Sequence, residues 1–348
     1  MPENRTSEAK KTRKTNNMNS RRSFIKKISA GAALSTVAFS SSSAFAALTD
    51  PGTNGAKALD LRPIKIGIIG AENSHTVGYG KLFNIDKKFP GVKVVYVWGE
   101  TEEFARAAME KGKIPNMVKD PKEMLGKIDA LIVDHRHAKY HLEAAIPFVK
   151  AHIPTFIDKP FCYRVAEGKE FLSMAKSVGT PVSSWSTSAH TDETMDIKKQ
   201  LESFENVNHI VSFGPVDIES VWGGVFFYGV HIVDQLLCYF GDDVKKVRVS
   251  KNGKNASADL AFGNGILATL IFLNSTYAFA AYAETKKGII ELKSRVNETD
   301  PPKCYIDMVE MFRTGKEPRT HESIIYSVAV LEALEKSVTS EAWETVVV

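Results

Sequence analysis

Between residues 62 and 185 the chain alternates short apolar runs with helical segments, and that alternation leaves few folds open. IKIGIIG (64–70) is apolar save for Lys65, as a strand covered on both faces must be. A helix is expected after the cap region Asn73–Ser74. VKVVYVW (92–98) is the second strand. In TEEFARAAMEKG the cap is Thr101, acids fill the first turn, and Gly112 is the expected stop. DPKEML opens a short helix at Pro121, and DALIVD (129–134) is the third clear strand. HLEAAIPFVKA reads as a helix that Pro147 must kink or shorten. PTFIDKP is a strand ending at Asp158, Lys159 and Pro160. GKEFLSMAKSVG is a further helix, and PVSSWS the last strand of the series. Strand–helix alternation of this kind implies right-handed crossovers and a parallel sheet. The expectation is an α/β fold whose N-terminal part, 62–185, is a doubly wound, Rossmann dinucleotide-binding-type domain.

Beyond residue 185 the pattern changes. VNHIVSFGPVDIES has strand character, and YGVHIVDQLLCYFG is an amphipathic helix. VKKVRVS, ASADLAF, GILATLIFL, TYAFAAYA and KGIIELK follow as strands, some separated by Asn-Gly, Gly-Asn-Gly and Asn-Ser turns. CYIDMVEMFRTG and HESIIYSVAVLEALEKSV close the chain as helices. Residues 186–348 are therefore expected to form an α+β domain with an open, mostly antiparallel sheet, suited to substrate binding and to assembly as a dimer or tetramer.

The N-terminal 46 residues read differently. SRRSFIKK carries paired arginines followed by Phe, ISAGAALSTVAF is weakly apolar, and SSSAFAA offers an A-x-A site at Ala44 and Ala46. This order is that of a twin-arginine signal peptide, with the translocase as partner and the periplasm as destination. The apolar stretch is shorter than the ~20 residues a bilayer helix needs, so no membrane span is expected. Residues 47–61 are a Gly/Pro-containing linker. Residues 1–46 hold nine Lys or Arg against two acids, a charge of +7, while the whole chain is +4. The remainder is therefore −3, which argues against a nucleic-acid partner. Cys162, Cys238 and Cys304 show no close-spaced metal or redox pattern, and the odd count permits at most one bridge plus a free thiol.

Several residues carry chemistry. Lys159 follows a parallel strand at the edge where α/β sheets bind ligands, and Pro160 restricts its backbone. His231 and Asp234 lie three apart on one helix face, where a His titrates near neutrality and can act as general base or acid. DHRH (134–137) brings Asp134, Arg136 and His137 to another strand end, near where His75 is expected. Their spacing matches no strong zinc motif and no metal is expected. Arg136, Lys159 and His75 are alternatively a cradle for an anionic group. Tyr228 is a candidate hydroxyl contact, and Trp185 and Trp222 are candidate stacking surfaces for a sugar.

Taken together, IGIIG, the strand–His pattern ALIVDHRHAKYHLEAA with His141, the Asp-Lys-Pro turn, and G-x-H-x-x-D at Gly229, His231 and Asp234 resemble the Gfo/Idh/MocA family. The resemblance runs from about Ile64 to the C-terminus. It implies hydride transfer between a tightly held NAD or NADP and a sugar-like alcohol, with Lys159 contacting substrate and cofactor and His231 shuttling the proton. Tyr228 and Asp234 complete the expected catalytic set. The expected cofactor contacts are Gly67, Gly70, Ala71, Asn73, Ser74, His75, Glu100, Asp134, Arg136, His137, Asp158 and Lys159. There are departures. Of the three fingerprint glycines only Gly70 is present; Glu72 and His75 replace the others. Gly99 stands where the family places an acid, with Glu100 next. Arg136 and His137 replace a Thr-Pro, and Phe227 replaces an Asp. These departures fit two alternatives: a glycoside-cleaving enzyme with a retained nicotinamide, or a cofactor-free sugar-binding protein on the same fold.

Overall fold

The structure is a computed structural model and describes residues 62–348. The signal peptide and the linker expected at 1–61 lie outside the described residues. Sheet A comprises β1 (Ile64–Ile69), β2 (Val92–Trp98), β3 (Asn116–Met117), β4 (Ala130–Val133), β5 (Thr155–Ile157) and β6 (Val182–Ser183). All pair in parallel, in the order β3-β2-β1-β4-β5-β6. The order reverses between β1 and β4, so the carboxyl ends of those strands open a crevice. The short β3 is not evident from its sequence.

The connecting helices begin largely where their caps predict. Asn73 accepts a hydrogen bond from His75 N at the start of α1 (Ser74–Gly80). Thr101 accepts one from Phe104 N at α2 (Glu102–Gly112), and Asp120 with Glu123 forms a capping box at the 3₁₀ turn Pro121–Met124. Gly112 does not act as the stop. Lys113 takes the left-handed conformation there, with φ 52°. Gly112 instead lets α2 approach α1: a Cβ on Gly80 would lie 2.6 Å from the Gly112 Cα. α3 (His141–Lys150) continues through Pro147, and α4 (Val165–Val178) stops at a left-handed Gly179.

Sheet B holds β7 (His209–Pro215), β8 (Val244–Asn252), β9 (Asn255–Phe262), β10 (Leu267–Leu273), β11 (Ala280–Thr285), β12 (Gly288–Glu291) and β13 (Glu344–Thr345). Its order is β12-β11-β7-β10-β9-β8-β13, antiparallel except for the parallel β7–β10 pair. α5 (Asp192–Ser203), capped by Thr191, is an addition to the expected elements. α6 (Val225–Phe240), α7 (Lys303–Thr314) and α8 (His321–Ser340) are the remaining α-helices among the described residues. None is long and apolar enough to cross a membrane.

Alternating side chains on the central strands feed two cores. Leu131 and Val133 join Phe148, Phe171, Phe226, Val230, Leu270 and Leu331 in a core that continues from sheet A through α3, α4, α6 and α8 to sheet B. Ala130 and Ile132 face the other way, with Ile66, Phe83, Phe156, Met308 and Phe312. The second core explains α7: a helix late in the sequence returns to cover sheet A. Phe156 is fully buried there, and Phe156→Ala would cost about 3–5 kcal/mol through the cavity it leaves.

Candidate active site

The turn after β1 departs from the glycine pattern without losing its shape. Gly70 has φ 108°, and a Cβ on it would lie 2.5 Å from the Asp134 carbonyl carbon. Only glycine fits there. Neither Glu72 nor His75 has a positive φ, so neither position needs glycine for backbone reasons. Gly99 has its own explanation: a Cβ there would lie 2.9 Å from the Ala71 Cβ and 2.8 Å from the Ala105 N. This close approach brings Glu100 under the turn, where its Oε2 accepts from Ala71 N and Glu72 N, both at 2.9 Å. Glu100 Oε1 is buried without a partner. The displaced acid thus reaches the turn from one residue later.

The carboxyl ends of β4 and β5 carry Asp134 and Asp158, both fully buried. Asp134 Oδ1 accepts from Asn73 Nδ2 at 2.8 Å, and its Oδ2 lies 2.6 Å from Thr76 Oγ1. That hydroxyl also lies 2.5 Å from the Gly70 carbonyl, which can only accept. One hydroxyl has one proton. If Thr76 donates to Gly70, Asp134 must donate to Thr76, which requires a protonated carboxyl. Burial, with the charge of Asp158 adding to it, pushes the Asp134 pKa well up in agreement.

Asp158 goes the opposite way. Burial alone would raise its pKa, but Lys159 and then His75 outweigh it and hold the carboxylate below its usual range. Lys159 Nζ lies 3.3 Å and His75 Nδ1 3.1 Å from Asp158 Oδ2, and Tyr79 OH donates to Oδ1 at 3.3 Å. His75, Asp134 and Asp158 offer ligand atoms within 4.8 Å of one another. Here the cation facing Asp158 is the Lys159 ammonium.

His231 projects from α6 and is 6% exposed. Burial pushes its pKa well below the ordinary value, and the charges of Lys159 and His75 push it further. The ring is therefore neutral at neutral pH and can accept a proton. The Tyr228 ring lies 5.6 Å from it and the Phe279 ring 6.2 Å. Lys159, His75 and Asp158 thus meet at the end of β5, and His231 lies near enough to feel their charges.

Other expected contacts lie elsewhere. Gly67 is inside β1, where a Cβ would meet Ile128 and Met124 at 2.8 Å, so its role is packing. Asp234 makes no bond to His231. It accepts from Ser186 N and Ser327 Oγ and pairs with Arg319 at 3.4 Å. His137 accepts from Lys139 N and packs against Tyr163, with ring centroids 4.9 Å apart. Trp185 is a core residue, 2% exposed. Ser74 is exposed at the start of α1, and Ala71 is buried in the turn. Arg136 does not pair with Asp134. It stacks over Trp222 and Phe227, 4.9 and 5.3 Å from the ring centroids, with Glu72 at 4.0 Å. His141 is a staple, its ring nitrogens 2.9 Å from Pro160 O and 2.8 Å from His135 O. All three cysteines are unpaired.

Residues 64–185 match the family model described as "Oxidoreductase family, NAD-binding Rossmann fold" of GFO_IDH_MocA. Over these residues the chain is similar to the Rossmann domain of that family. The chain is 28% identical over 191 residues to the uncharacterized oxidoreductase YhhX of Escherichia coli K12, matching 48% of this chain and 55% of that protein. It thus spans about half the length of that relative. Among solved structures, myo-inositol 2-dehydrogenase from Lactobacillus plantarum aligns with TM-score 0.69 at 17% identity, covering 82% of this chain and 100% of that one. Myo-inositol dehydrogenase from Lactobacillus casei, solved with NAD(H) and myo-inositol, aligns with TM-score 0.68 at 12% identity, covering 82% and 97%. At these identities the likeness is one of fold, and it extends through both sheets.

Proposed function

We propose that the protein is an exported oxidoreductase that moves a hydride between NAD and a carbinol of a sugar or cyclic polyol. The observation that carries this reading is the buried Lys159 ammonium at the carboxyl edge of sheet A, near enough to neutral His231 to act on it through its charge. The family description supports NAD, and the inositol dehydrogenases support a polyol substrate.

The residues present fit a dinucleotide. Gly70 keeps the turn free of a side chain, and the partnerless Glu100 Oε1 is an acceptor in the place where a ribose hydroxyl is expected. A carboxylate there also disfavours the 2′-phosphate of NADP. When bound, the nicotinamide supplies the hydride acceptor. His231 takes the hydroxyl proton, and the Lys159 ammonium stabilises charge developing on the oxygen. The aromatic rings of Tyr228 and Phe279 beside His231, with Tyr277 packed against both, give the apolar face of a sugar ring a surface to rest on. Export rests on the N-terminal arginine pair and A-x-A site.

The test begins with protein purified natively, denatured, and assayed for nicotinamide by mass spectrometry. Binding of added NAD and NADP is then compared by calorimetry, and turnover of inositols and simple sugars is followed by nicotinamide absorbance. NAD bound in preference to NADP, with turnover reduced about 10²–10⁴-fold in His231→Ala and Lys159→Ala, is expected. No binding of either dinucleotide overturns the reading. Sugar release without net reduction of nicotinamide replaces it with glycoside cleavage.

A further inference from the structure

The proposed base has an unusual neighbourhood: the groups bonded to its ring are hydroxyls. His231 Nδ1 lies 2.7 Å from Ser186 Oγ and 3.3 Å from Ser188 Oγ, and those two hydroxyls are 2.7 Å apart. Ser186 is fully buried and Ser188 partly exposed. The Ser186 N–H donates to Asp234 Oδ2 at 3.0 Å. Asp234 is itself anchored by Ser327 Oγ at 2.6 Å and by Arg319. One turn before His231 the helix carries Phe227, which has no charge to offer the ring.

We propose that Ser186 is the positioning residue that sets the tautomer of His231, with Asp234 acting through the Ser186 backbone. The inference rests on the reading of His231 as the base. A neutral imidazole has one ring proton, and a hydroxyl donates one hydrogen bond. Two chains satisfy these contacts. In the first, Nδ1–H donates to Ser186, Ser186 donates to Ser188, and Ser188 donates to solvent. In the second every arrow is reversed, Nδ1 becomes an acceptor, and the ring proton moves to Nε2. Only the first leaves the Nε2 lone pair for a substrate hydroxyl. It also needs no rearrangement during reaction. When Nε2 takes the proton, Nδ1–H keeps the acceptor it already has, and nothing in the chain has to turn. A neutral hydroxyl does this orienting without the opposite charge that would raise the basicity of the ring, consistent with a base of depressed pKa. The charged groups facing the ring are Lys159, His75 and Asp158, and none of them bonds to Nδ1.

The test reads the tautomer directly. Protein labelled with ¹⁵N-histidine is examined at neutral pH by long-range ¹H–¹⁵N NMR, with His231 assigned by its absence in His231→Gln. The expected result is a protonated Nδ1 and a bare Nε2. Ser186→Ala should move the ring toward the Nε2–H tautomer and lower kcat on the order of 10-fold, a share of what a general base contributes, with little change in KM. Ser186→Thr, which keeps the hydroxyl, should restore the tautomer. A wild-type His231 found as Nε2–H, or a tautomer unmoved in folded Ser186→Ala, overturns the proposal. The NMR readout needs neither nicotinamide nor substrate. Failure of the oxidoreductase reading would show in cofactor binding and turnover, and the two failures are separable. Should Ser186→Ala not fold, the wild-type tautomer decides alone.

Discussion

The two ends of the carboxyl edge of sheet A handle negative charge in different ways. After β2, Glu100 is met by two backbone amides of the neighbouring turn and keeps one oxygen without a partner. After β4 and β5, Asp134 and Asp158 are fully buried, and side chains alone answer them: Asn73, Thr76, Tyr79, His75 and Lys159. Backbone amides are fixed dipoles that cannot change their charge. Side chains can, and the second cluster has already done so: one carboxyl is pushed toward its neutral form while the other is held ionised beside an ammonium. The first end is held by fixed donors. At the second, the protonation state of each carboxyl depends on the other.

The sharpest way to break this comparison is to neutralise one acid at each end. Asp158→Asn leaves the Lys159 ammonium buried, 5% exposed, without its counter-ion. Such a loss costs about 3–5 kcal/mol. Glu100→Gln keeps an acceptor oxygen for the two amides and should cost no more than about 1 kcal/mol. Urea denaturation curves with unchanged slopes would measure both. Equal losses would show that the two ends do not differ as described.

Acidity sharpens the contrast. The folded-state pKa of Asp158 lies below its unfolded value, so its contribution is present above that unfolded value and is lost as pH falls through the folded one. His135 acts over a higher window. It is wedged among Trp98, Tyr140 and His141, and burial, with His141 adding to it, lowers its pKa to about 3. Below its ordinary value of about 6.5 the unfolded chain binds a proton there that the folded chain refuses. Stability therefore falls with pH from about 6.5 downward, by up to about 1.4 kcal/mol per unit from this one ring. His135→Phe keeps a ring and removes the titration. It should recover about 2 kcal/mol of the stability lost between pH 7 and pH 5, read from urea midpoints at both values. No recovery would mean that the ring is already accessible to protons in the fold.

Much of this was legible in the chain because it depends on local pattern. Largely apolar runs marked β1, β2, β4 and β5, and Asn73, Thr101 and Pro121 marked helix starts within a residue or two of where they lie. Lys159 and His231 stood out within their own segments, one at a strand end and one on a helix face, and only the resemblance joined them in one set. What escaped depends on distant backbone meeting distant backbone. The role of Glu100 turns on Gly99 packing against Ala71, a contact with no periodic signature. A glycine just before an acid at the end of β2 was the available hint. Asp234 shares a helix face with His231, but its bonds run to Ser186, Ser327 and Arg319, which lie far from it along the chain. α7 read correctly as a helix, yet its own periodicity says nothing of the sheet it covers.

The smallest effect concerns Arg136, which sits between the turn and the aromatic residues leading into α6. Two attractions compete for it: Glu72 at 4.0 Å, and the faces of Trp222 and Phe227. Half-exposed ion pairs at that distance contribute from nothing to about 1 kcal/mol, since solvent screens them. A guanidinium stacked on a tryptophan contributes about 0.5–2 kcal/mol and depends on a planar shape that lysine lacks. The aromatic attraction should therefore dominate. A double-mutant cycle of Arg136→Ala with Trp222→Ala should return a coupling of about 0.5–1 kcal/mol that persists in high salt. The cycle with Glu72→Gln should return less and vanish as salt is added. The reverse pattern would make Arg136 an electrostatic partner of the turn, and the two ends of the sheet edge would then be joined by charge rather than by stacking.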